Sequence, residues 1–87
     1  AIDADGNPFT SSCQLCLKVA GRMAVHVDVF DVRGRLVRHL HEGLAQGRVR
    51  LTWDGRHENG HEAASGIYFV RACSGGQVAT TKIVLVR

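Results

Sequence analysis

The chain has 87 residues, 45% of them hydrophobic, and a formal net charge of +3. That length bounds it to one small domain, and the composition excludes a disordered chain. No apolar run approaches the roughly 18 residues of a membrane-spanning helix, so no transmembrane segment is expected. No basic segment followed by an apolar one opens the chain, and its first residue is Ala1, so we expect a fragment, a mature product or the tail of something longer.

Residues 1–10 read as a polar, irregular lead-in, and residues 11–87 as the domain itself. Asp3-Ala4-Asp5-Gly6-Asn7 sets oxygen-bearing side chains at alternate positions, as a calcium loop does. Pro8 then stands where that loop needs Gly, and Gln14 where it needs a bidentate Glu. A linker with turn chemistry is expected instead. Asn7-Pro8-Phe9 would bring an aromatic ring to one end of the core.

A first strand is expected over 12–19, with Cys13, Leu15 and Leu17 on one face and Gln14, Cys16 and Lys18 on the other. Cys13-x-x-Cys16 therefore splits its thiols between faces, unlike a redox pair, and Cys73 supplies no second pair for structural zinc. Small buried or bystander thiols, or one disulfide involving Cys73, remain the two readings. Ala20-Gly21-Arg22 has hairpin length, so a second strand over 23–31 is expected to reverse direction. There Val25, Val27 and Val29 recur at period 2 around His26 and Asp28, the mark of a half-buried strand. Arg33-Gly34 reverses the chain again, and Leu36, Val37 and Leu40 restart the apolar pattern in a third strand. His39 and His41, two apart, would share a face at its end.

Residues 42–47 read as a glycine-bounded loop with Leu44 tucked beneath it. Val49, Leu51 and Trp53 then alternate with Arg48, Arg50 and Thr52, and Trp53 should be the largest single contributor to the core. Residues 54–62 hold Asp, His and Glu, but also Asp-Gly and Asn-Gly, so a reversing loop accounts for them without catalysis. In the next strand Tyr68, Val70 and Ala72 face one way and Ile67 and Phe69 the other, which places it centrally. Ser74-Gly75-Gly76-Gln77 is a hairpin turn, and the last strand comes after it. Six to seven short strands with no helical period make an all-β antiparallel sandwich. The arginines are spread out and not interleaved with aromatic residues, so no nucleic acid is expected as a partner.

The ordered set Phe30-Asp31-Val32-Arg33-Gly34-Arg35-Leu36-Val37, Trp53-Asp54-Gly55-Arg56, Asn59-Gly60, Ser65-Gly66-Ile67-Tyr68 and Lys82-Ile83-Val84-Leu85-Val86-Arg87 resembles a known family. It is the immunoglobulin-like domain shared by flagellar hook-capping proteins and the C-terminal sorting domains of the type IX secretion system. The resemblance implies an immunoglobulin-like β-sandwich of about seven strands, with Asp31, Gly34, Arg35, Trp53, Asp54 and Gly55 as its turn and core motif. Gly66, Tyr68, Val70, Lys82 and Arg87 match the sorting branch. The same resemblance implies a non-catalytic tail of a secreted or surface protein, carried through the periplasm and read by an outer-membrane translocon, with no cofactor and no metal. An exposed edge on the last strand, residues 80–87, would suit such reading by strand addition. The alternatives are an accessory adhesive module beside another domain of the parent protein, touching anionic surface polysaccharide through Arg48 and Arg50, or a structural domain in hook assembly.

Overall fold

Along the longest strand, odd-numbered positions fill the core. There Cys13, Leu15, Leu17, Val25, Val27 and Val29 are buried while Gln14, Lys18, Ala24 and His26 are exposed, which is the two-residue alternation of a sheet with one dry face. The computed structural model describes residues 2–5 and 8–87. Its strands are β1 (Ile2–Asp5), β2 (Cys13–Asp31), β3 (Leu36–Trp53), β4 (Gly66–Ser74) and β5 (Gln77–Leu85). They form one sheet in the order β1-β2-β4-β5, with β3 also paired to β2. All four strand pairings are antiparallel.

β2 and β3 make a ribbon that runs from Phe30 opposite Leu36, beside the turn, to Cys13 opposite Trp53. At about 3.3 Å per residue a strand of this length would extend about 60 Å if straight, yet the longest dimension of the molecule is 37 Å. The ribbon must fold over. It does so where Val19 faces Gly47 but Arg22 faces Gln46, leaving Ala20 and Gly21 without opposite numbers. A bulge of this kind bends a strand and sharpens its twist, and Gly21 supplies the required φ of 79°. The first half of β2 carries β1, the second half β4.

Folding over brings the two halves onto one core. Trp53, at the far end of the ribbon, packs its ring 5.0 Å from Tyr68 of β4 and 5.7 Å from Phe9, both edge to face. Its indole N–H donates to Arg56 O at 2.9 Å, which satisfies the one polar group that this large side chain takes inside.

The strand count differs from the one expected from sequence. Among the described residues there are five strands in one curled sheet, where about seven were expected. Ala20-Gly21-Arg22 does not reverse the chain, and residues 42–47 are not a loop; both stretches lie inside long paired strands. A glycine at positive φ serves a bulge as well as a turn. Leu44 is accordingly not tucked in: it is 59% exposed while Ala45 takes the inward place. A second bulge separates the two histidines, because Val27 faces His41 and Asp28 faces His39 with Leu40 left over. Directly opposed residues share a face, so His41 lies on the side of buried Val27 and His39 on the other. Residues 1–10, expected to be irregular, contribute β1 and the buried side chains of Ile2 and Phe9. In the calcium-like stretch, the Asp5 side chain and Asn7 lie outside the described residues.

β4 lies between β2 and β5, and its hairpin to β5 turns through Gly75 and Gly76, both at positive φ. This matches the type I′ geometry that follows the right-handed twist of the flanking strands.

Candidate functional site

The motif residues gather into two clusters at one end of the sheet. The first is the β2–β3 turn. The Asp31 carboxylate accepts from the backbone N–H of Arg33 (2.9 Å) and of Arg35 (3.0 Å), and from Arg35 Nε (3.0 Å). Gly34, at φ 79°, donates its N–H to Asp31 O at 3.0 Å. These donors, the Arg35 N–H first, hold the Asp31 carboxyl below the usual carboxylate range. The cluster shapes a turn.

The second cluster joins three segments. Asp54 accepts from Arg56 N–H (3.1 Å) and from Arg38 Nη1 (3.1 Å), and Asn59 accepts from His61 N–H (3.0 Å). The side chains of this polar run thus bond nearby backbone, as a reversing loop demands. Glu58 pins the loop to β3: its N–H donates to Val37 O at 3.0 Å and its carboxylate accepts from the His39 N–H. Beneath it Tyr68 O–H donates to Ala64 O at 2.6 Å. Arg87 closes the group, donating from Nε to Ala63 O (2.8 Å) and from Nη2 to Gly55 O (2.6 Å), with Nη1 2.9 Å from a Glu62 oxygen. Its backbone N–H donates to Ser65 Oγ at 2.9 Å.

Gly66 starts β4, Val70 lies in the core, and Lys82 sits on the outward face of β5, opposite Phe69. The candidate residues are thus spread: Tyr68 and Arg87 share the clamp around Ala63 and Ala64, whereas Lys82 belongs to a different surface. That Arg87 serves as a clamp has no signal in the sequence, since its partners come from segments 24 and 32 residues away.

Strand addition along the final strand meets an obstacle. Phe9 N–H donates to Val84 O (3.0 Å) and Val86 N–H to Phe9 O (2.8 Å), so this edge is already paired at its C-terminal end. β3 is a further border of the sheet, since it pairs with β2 alone among the described strands. Cys13 is buried and Cys16 and Cys73 partly so, none in a disulfide. Among the described residues no three His, Cys, Asp or Glu are placed to hold a metal, and no helix is long and apolar enough to cross a membrane.

One titrating pair stands out. His39 Nδ1 lies 2.5 Å from an Asp28 oxygen, and that hydrogen bond, with help from the Glu58 and Glu42 charges and against desolvation, raises the His39 pKa above 6.5. A raised folded pKa stabilises the fold fully below pH 6.5 and loses that contribution as pH rises through the folded value. A histidine titration followed by NMR should place His39 above 6.5 in the native chain, and Asp28→Asn should move it back down.

The sequence model of the FlgD Ig-like domain family matches residues 13–77. No curated protein matches significantly. Among solved structures, dimeric latent PorU from Porphyromonas gingivalis is similar over 98% of this chain and 9% of its own, with a TM-score of 0.79 and 21% identity. PorZ of the same organism, described as an essential bacterial surface component of the type-IX secretion system, is similar over 99% of this chain and 11% of its own, with a TM-score of 0.73 and 22% identity. The chain thus spans about a tenth of either protein, and at these identities the likeness is one of fold. The family match runs from the first residue of β2 to the first of β5, across the folded ribbon, the Asp31 turn and the Trp53–Gly55 loop, and on that ground the chain belongs to the FlgD Ig-like domain family.

Proposed function

We propose that the chain is a non-catalytic immunoglobulin-like module that acts as the sorting signal of a longer, secreted bacterial protein, reaching the surface or the medium through the periplasm. The observation that carries this reading is the likeness of its whole fold to domains within PorU and PorZ, the second a described component of the type-IX secretion system. The clamp of Arg87 on the Gly55 and Ala63 carbonyls supports it physically: it fixes the segment after β5 against the loop before β4, so a receptor meets one defined surface. Its receptor is an outer-membrane translocon.

Two observations favour other roles. The family match lends weight to a structural part in hook assembly. Arg48 and Arg50 are exposed, and neither side chain makes a hydrogen bond or ion pair among the described residues, which suits an accessory module touching anionic surface polymer.

The test fuses the chain to the C-terminus of a periplasmic reporter in a bacterium with a working type IX system. Export to the surface or medium, abolished in a strain lacking the translocon, is the expected result. A fusion that folds yet stays in the periplasm of the competent strain refutes the sorting role.

A further inference from the structure

The alternation that fills the core leaves an unusual surface on its other side. Where β3, β2, β4 and β5 lie side by side, the outward residues form cross-strand rows. One is His39, Asp28, Arg71 and Thr80; the next is Leu36, Phe30, Phe69 and Lys82; beyond it Ile67 stands opposite Val84. The outer face of an antiparallel sheet is ordinarily polar. Here Leu36 is 45% and Ile67 41% exposed, and Phe30, Phe69 and Val84 are each only partly covered. Val32 and Val86, just past the ends of β2 and β5, are 66% and 49% exposed.

We propose that this face docks a short apolar segment of another protein that carries Asp or Glu at its flanks. Charge selects that chemistry. The carboxylates on this side of the sheet are already held, Asp28 by His39 and Glu42 by His26, and Asp31 beside the turn is held by Arg35. The Arg33 and Arg71 side chains bordering the patch make no ion pair among the described residues. An apolar centre with unneutralised guanidinium groups at its margin fits a partner with the opposite rim.

Size selects a segment over a second copy. Four strands at about 4.8 Å and two row intervals of about 7 Å give a footprint on the order of 200 Å². A stable interface between folded proteins buries about 800 Å² per partner. Laying the face on its own copy would also bring like guanidinium groups together with no open carboxylate on either side. This docking role goes beyond the sorting role and stands or falls separately from the reporter fusion.

Peptide display against the purified domain tests it. Selected peptides should combine Leu, Phe or Trp with Asp or Glu. Their affinity should fall at least tenfold in Ile67→Lys and in Phe69→Ser, with native thermal unfolding of Ile67→Lys as the folding control. Selection against Arg71→Glu should keep the apolar residues and lose the acidic preference, which a merely structural role for Arg71 would not produce. Peptides with no acidic preference against the native domain overturn the proposal, as do NMR shifts from bound peptide that map to residues 43–53 of β3. A dimer in sedimentation equilibrium that Ile67→Lys dissociates overturns it in favour of self-association.

Discussion

Trp53→Ala should lower stability by about 3–5 kcal/mol, the range for deleting a fully buried large aromatic side chain. The ring is 0% exposed and heads the fully buried side chains by volume, and it touches both Phe9 and Tyr68. It joins the end of the folded ribbon to β4 and to the segment before β2. Its removal leaves a cavity between elements that have little else in common. A domain of this size has about 5–10 kcal/mol in total, so the variant should lose roughly half its urea midpoint or more. Because Trp53 is the sole tryptophan, far-UV circular dichroism is the appropriate probe. Trp53→Phe should cost about 2 kcal/mol, since a ring remains but Arg56 O loses its donor. An Ala variant within about 1 kcal/mol of the native chain would show that the core does not centre on this residue.

The second large effect belongs to Arg87 and Gly55 together. Arg87→Ala removes two charged donors from backbone carbonyls and the contact with Glu62. Such bonds contribute about 1.5–3 kcal/mol each, but the side chain is 27% exposed and water can replace part of them. A loss of about 2–3 kcal/mol is expected. Arg87→Lys should recover less than half, because an ammonium lacks the planar fork that serves several acceptors at once. Gly55→Ala should be comparably harmful: φ is +71°, and a Cβ there would lie 2.7 Å from Arg87 Nη2 and 3.2 Å from Ser11 O. The left-handed backbone alone costs about 1–2 kcal/mol for a residue with a side chain. In the double variant the Arg87 clash is gone while the backbone cost and the close approach to Ser11 O persist, so the two effects should add to less than their sum in denaturant titrations. Full additivity would mean that the guanidinium does not sit over Gly55.

The alternation in residues 12–19, 23–31 and 48–53 is legible in the sequence because core packing repeats every two residues and depends only on local geometry. Trp53 as the dominant core residue, β4 as a central strand and the turns through Gly34 and Gly75-Gly76 rest on the same reasoning. Reversal and bend are not distinguishable at that level. Gly21 and Gly43 offer positive φ, and whether the chain turns back or continues is decided by pairing between β2 and β3 over their whole length, a tertiary fact. Leu44 is misplaced for that reason: its expected loop is strand, and the phase of the strand sends it outward. The apolar Phe30 and Phe69 are visible as residues, yet only the cross-strand register shows that they are neighbours. Arg87 is singled out by resemblance, but its work as a clamp cannot be seen until residues 55, 63 and 87 are brought together.

The bulge at Ala20 and Gly21 has an arithmetic of its own. It adds two residues to β2 and none to β3, and two is one full period of side-chain alternation. Inward positions therefore keep the same parity before and after it, and the ribbon closes like a book with its printed pages inside. Any insertion or deletion at this spine acts by odd or even number. One residue turns every page of one leaf outward, while a pair merely changes the thickness of the binding.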